Sequence, residues 1–118
     1  MSRLLAVLLF FPGLAFAEQM TVFYCHNVLI PKVQITHHAL AEKIPRTAIV
    51  DRIIDRFYSH RFFTDAQATA VNEAIDLAIN IEVLIPSTLT LEQADAWIDS
   101  YIRSTTCTTA KESPTYGG

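Results

Sequence analysis

Glycine is almost missing from this chain: of three, Gly13 lies near the start and Gly117 and Gly118 close the end. Tight two-residue hairpins need positions that accept positive φ, and no stretch alternates polar with apolar residues, so a sheet of hairpins is not expected. Long hydrophobic runs are scarce as well. The single strong one, residues 4–11, is too short to cross roughly 30 Å of hydrocarbon as a helix, and no second follows it. Cysteine occurs only twice, as Cys25 and Cys107. Also absent are the G-x-S-x-G elbow, H-E-x-x-H, a glycine-rich phosphate loop and any catalytic cysteine signature. An enzyme is therefore not expected, and no motif calls for a cofactor.

What is present begins with a leader. Residues 1–17 carry an early cation, Arg3, the apolar run, a helix-breaking Pro12-Gly13, and Ala15 and Ala17 framing an A-x-A site. That order is the pattern of a secretory signal peptide cut after Ala17. The mature chain is expected in the periplasm or secreted, without stable insertion in the membrane. Removing the leader takes Arg3 from nine basic residues and leaves eight against twelve acids. Such mild acidity argues against nucleic acid, which requires a basic stripe to displace counterions. About one hundred residues suit one domain with a modest core.

Export decides how the cysteines are read. Two thiols in an oxidising compartment usually end as a disulfide, whereas in the cytosol they would be free, metal-bound or catalytic. Cys25 and Cys107 are thus expected to pair. A Cys25–His26 catalytic couple is disfavoured, because neighbours on a helix diverge and the imidazole would not reach the thiol.

Residues 21–43 place Val22, Cys25, Leu29, Val33, Thr36 and Leu40 at steps of three and four, which predicts a helical stripe. Pro31 interrupts it, leaving either one kinked helix or two meeting near Ile30. The segment 46–60 puts Ile49, Val50, Ile53, Ile54 and Phe57 on one side, with Asp51, Arg52, Asp55 and Arg56 on a solvated face. Thr64 with Gln67, and Thr90 with Gln93, have capping-box spacing. They open a third helix through Ala68, Val71, Ala74, Ile75, Ala78 and Ile79, ending before Pro86, and a fourth carrying Ala94, Trp97, Ile98, Tyr101 and Ile102. The fold class is all-α: a small bundle of about four helices over residues 18–107, closed by one disulfide. Residues 108–118 form a polar, glycine-ended segment expected to be a disordered tail.

His26, His37, His38 and His60 invite a metal reading, but no two stand at the i, i+4 spacing by which imidazoles share an ion. His37 and His38 point about 100° apart on a helix, and His38 with Glu42 is the one ligand pair at helical reach. No metal site is expected. The candidate contacts for a partner are two connections. His60, Arg61, Phe62 and Phe63 combine a cation with aromatics at a turn, the usual composition of an interface anchor. Ser87 and Thr88 sit in the loop between the last two helices. Phe63, immediately before the Thr64 cap, also suits a hydrophobic staple.

The succession of "VFYC", "IPRTAIVDRII" and "LTLEQADAWIDSYIRSTTC" resembles a diffuse group of small exported helical proteins from proteobacteria. The resemblance implies an α-helical fold closed by Cys25–Cys107. Two further groups share the plan: acid-activated periplasmic chaperones of the HdeA type, and periplasmic immunity proteins, to one family of which "IPSTLTLEQ" is similar. The leading expectation is an exported, non-enzymatic protein that binds another protein, as an immunity or inhibitor module. A stress chaperone, loosened when its histidines and acids protonate, is the alternative, and a small envelope-acting enzyme the third reading.

Overall fold

The computed structural model describes residues 20–111; the expected leader, residues 1–17, and residues 112–118 of the expected tail lie outside the described residues, as do residues 18–19. Four helices account for most of this span. Helix α1 covers residues 22–41, α2 is Arg46–Phe57, α3 is Asp65–Ile81 and α4 is Leu91–Thr105. Short 3₁₀ turns follow α2, α3 and α4 at His60–Phe62, Glu82–Leu84 and Cys107–Thr109. No strand occurs among the described residues, only an isolated bridge between Thr21 and Lys111.

Proline did not split α1. Within it, Cys25–Leu29 is π-helical, and the Ile30 N–H reaches back five residues to the Cys25 carbonyl. The wider turn comes immediately before Pro31, which has no N–H for the ordinary ladder and whose ring crowds the carbonyl four residues back. One inserted residue thus absorbs the proline while the helix runs on. Thr21 starts α1 by accepting from the Tyr24 N–H at 3.0 Å. Its end is a Schellman turn: Ile44 N–H bonds Ala39 O at 3.0 Å and Lys43 N–H bonds Leu40 O at 3.0 Å. This turn puts Lys43 at φ 60°, a conformation glycine adopts without a Cβ clash. Lys43→Gly is therefore expected to raise unfolding stability by about 0.5–1 kcal/mol, read from the urea midpoint at constant m value.

Both predicted capping boxes form. Thr64 Oγ1 accepts from Gln67 N–H and Thr90 Oγ1 from Gln93 N–H, each at 3.1 Å, while both glutamines return a bond to the cap residue.

Helix α1 is the hub, packing on α2, α3 and α4. Two apolar clusters share it. One joins Cys25, Leu29, Ile30 and Val33 to Ala74, Ala78, Ile81, Ile98, Ile102 and Cys107, with Trp97 and Tyr101 stacked at its edge. The other joins Ala39 to Ile49, Ile53, Val71 and Ile75. A helix enclosed on several sides must also bury polar residues, and α1 buries Lys32, Thr36 and His37.

Cys25 and Cys107 are bonded, with Cα atoms 5.8 Å apart. Beside them Val22 N–H bonds Lys111 O at 2.9 Å and Lys111 N–H bonds Met20 O at 3.1 Å. Residues 108–111, expected to belong to a disordered tail, are therefore ordered. Thr108 and Thr109 belong to the last 3₁₀ turn, and Lys111 is held by backbone bonds that composition does not advertise.

Candidate functional site

The most unusual side chain is Lys32, which is 0% exposed. Its ammonium donates to the Tyr24 hydroxyl at 2.8 Å and to the Tyr58 hydroxyl at 2.5 Å. It lies 5.0 and 4.9 Å from the two ring centroids. An ammonium this close to the hydroxyl oxygens sits at the oxygen end of each ring, so these are hydrogen bonds rather than a cation stacked on a π face. The π segment makes the arrangement. Eight regular residues would leave Tyr24 and Lys32 about 80° apart, and one inserted residue brings them within about 20°.

Burial pushes the Lys32 amine down to about 8, partly countered by the nearby Glu73 carboxylate. Burial likewise raises Tyr24, helped by the charge of and hydrogen bond with Tyr58, and raises Tyr58 itself. Glu73 is raised by burial and by Asp76, with Lys32 pulling the other way. A weakly basic amine is a catalyst's reagent where substrate can reach it. Lys32 is sealed beneath two tyrosines, and its position fits a structural post joining α1 to the end of α2.

A second polar cluster runs from buried His37 to half-exposed His38. His37 and His38 diverge as adjacent helical residues must, and they straddle the connection from α3 to α4. His37 Nδ1 donates to Glu82 at 2.9 Å, and His38 Nε2 lies 3.0 Å from both oxygens of Asp95. Carboxylates only accept, which places the protons on those nitrogens. Gln34 adds a bond to the Asp95 carbonyl at 2.9 Å. His38 and Glu42, the one ligand pair at helical reach, do not pair with each other: Glu42 accepts from Arg52 at 3.3 Å.

His38 and Asp95 line an open cleft of about 740 Å³, floored by Pro31 and Ile35 of α1 and walled by Arg52 and Arg56 of α2. The charged face of α2, expected only to be solvated, is thus one side of a cavity. No group of three or more His, Cys, Asp or Glu among the described residues is placed to hold a metal ion.

The two candidate contact loops are not brought together. They stand at opposite ends of α3, whose 17 residues run about 25 Å. At one end His60 bonds Asp55 at 2.7 Å, Phe62 is 70% exposed, and Phe63 turns inward against Tyr58, ring centroids 5.6 Å apart. Arg61 is exposed there beside Phe62. At the other end Ser87 and Thr88 are exposed, and they follow a feature that periodicity missed. The 3₁₀ turn Glu82–Leu84 breaks the helical phase, leaving Val83 85% exposed and Leu84 50%, next to Ile79 at 45%.

Charge is also segregated. Between residues 62 and 102 there is no Lys, Arg or His, while α1 and α2 carry most of the cations. Three ion pairs cross the divide: His37–Glu82, His38–Asp95 and Arg46–Asp76. This asymmetry is legible in the chain and tells which helices face one another. No family model, curated protein or solved structure matches the chain.

Proposed function

We propose that the protein is an exported, non-catalytic helical module that acts by binding another protein, with the α3–α4 connection as its contact. The carrying observation is Val83, an apolar side chain 85% exposed on a short turn beside half-exposed Leu84 and Ile79. Apolar side chains grouped in solvent mark interaction surfaces more often than scattered ones do. The turn is also held in advance: His37 grips Glu82 on one side, and the Thr90–Gln93 box fixes the start of α4 on the other. A rigid contact loses less entropy on association. Ser87 and Thr88 supply polar groups at the rim, as interfaces have. The disulfide fits an oxidising compartment, and among the described residues no helix is long and apolar enough to cross a membrane. A secreted toxin as the partner would make the protein an immunity or inhibitor module.

Pull-down from periplasm with wild-type bait, followed by single substitutions, tests this. Val83→Asp should lower capture of the wild-type partner by about tenfold or more, since about 1.5 kcal/mol or more is lost when a buried interface valine becomes charged. Thermal stability should be unchanged. Arg61→Ala and Phe62→Ala, at the far end of α3, should leave capture intact. The reverse pattern would move the contact to the α2–α3 turn.

A further inference from the structure

The cleft between α1, α2 and α4 contains one charge that nothing answers. Each carboxylate that lines it is already engaged: Asp95 by His38 at 3.0 Å, Glu42 by Arg52 at 3.3 Å, and Asp55 by His60 at 2.7 Å. Arg56 makes no ion pair and no side-chain hydrogen bond among the described residues; its guanidinium lies 5.3 Å from the ring of its neighbour Phe57. Pro31 and Ile35, four residues apart on α1, give the floor an apolar strip. A volume near 740 Å³ is in the range of small-ligand sites.

We propose that this cleft binds a carboxylate attached to a small aliphatic group, with Arg56 taking the carboxylate and Pro31 with Ile35 the aliphatic part. A guanidinium offers two parallel N–H donors that match the two oxygens of a carboxylate. Arg52 stands one turn earlier on the same wall, and its exposed pair with Glu42 is weak enough to be exchanged. A dianionic phosphate would face three carboxylates with a single uncommitted cation, so a monoanion is the charge the cleft accommodates. The site is separate from the α3–α4 contact and does not depend on it.

Two sources share this chemistry, a free carboxylic acid and the terminus of a peptide. Isotope-labelled protein is titrated with acetyl-leucine, with an acetylated tripeptide ending in leucine, with the same tripeptide amidated, and with inorganic phosphate. The amide resonances of Ile35, His38 and Arg56 should shift with both carboxylates at millimolar concentration and stay still with the amidated peptide. The tighter of the two carboxylates identifies the source. Arg56→Gln should weaken binding about tenfold or more. Arg61→Gln, which removes an exposed cation outside the cleft, should not. No shift with either carboxylate, equal shifts with the amidated peptide, tighter binding of phosphate, or wild-type affinity in Arg56→Gln each overturns the proposal.

Discussion

Replacing Cys25 and Cys107 together by serine is expected to lower the unfolding free energy by about 4.5 kcal/mol, the chain-entropy value for a loop of 82 residues. That is a large share of the roughly 5–15 kcal/mol typical of a small domain. The loss has two structural parts. The unfolded chain regains the freedom the cross-link denied it, and the folded chain must place two hydroxyls in an apolar cluster, where Cys25 is fully buried. The bonds that tie Lys111 to Met20 and Val22 also lose their neighbouring support. For a domain of this size the midpoint should fall on the order of 20 °C. Thermal unfolding with and without reductant measures it, and a wild-type midpoint unmoved by verified reduction would refute the clamp.

Stability should also climb as pH is raised from about 8 to about 10, in contrast to most proteins. In the fold the Lys32 amine titrates near 8, against 10.5 when unfolded. Between those values the unfolded chain holds a proton that the folded chain has released, so unfolding free energy increases with pH. The full gap is worth on the order of 3 kcal/mol. Above pH 10 the tyrosines oppose the rise. Tyr24 and Tyr58 are raised, so the unfolded chain loses those protons first and stability declines again. Glu73, also raised, acts at the other extreme, favouring the fold where it is protonated and losing that contribution as pH rises through the carboxylate range.

Lys32→Met keeps the volume and removes the buried charge. It should raise stability at pH 7 by on the order of 1–3 kcal/mol and abolish the alkaline rise, because exchanging a buried ion for a packed apolar group is often stabilising. Denaturant midpoints at pH 7, 8, 9 and 10 decide it. A Lys32→Met protein that still gains stability across this range would remove Lys32 as the source.

Lys32 also marks the limit of what periodicity reveals. Amphipathic α2 was plain, because its apolar side meets one cluster and its charged side faces solvent and the open cleft: Ile49, Ile53 and Ile54 are buried as the spacing required. The capping boxes were equally plain, since threonine and glutamine at that spacing satisfy local backbone groups whatever the tertiary fold does. The central helix was harder. Only its Cys25, Leu29, Val33 and Thr36 stripe was legible, because a helix packed by three others buries several faces, and a lone lysine there reads as solvent-facing until Tyr24 and Tyr58 are seen around it. The π segment was hidden for a related reason: it follows from the proline's missing donor together with the packing on both sides. His37 and His38 found their acids across the bundle, 45 and 57 residues away, beyond the reach of any local spacing rule. Val83 sits where helical phase is lost, so extending the α3 pattern could not place it.

The joined ends of the domain have a mechanical consequence. A pull applied across the chain at Met20 and Lys111 first strains the backbone bonds that link these residues, and then meets the Cys25–Cys107 bond. Covalent sulfur carries the load from there. The helices between the two cysteines lie outside the line of force, so a tether at the two ends would extend the oxidised molecule by only the few residues beyond the cross-link, whereas the reduced molecule would unravel through the whole bundle.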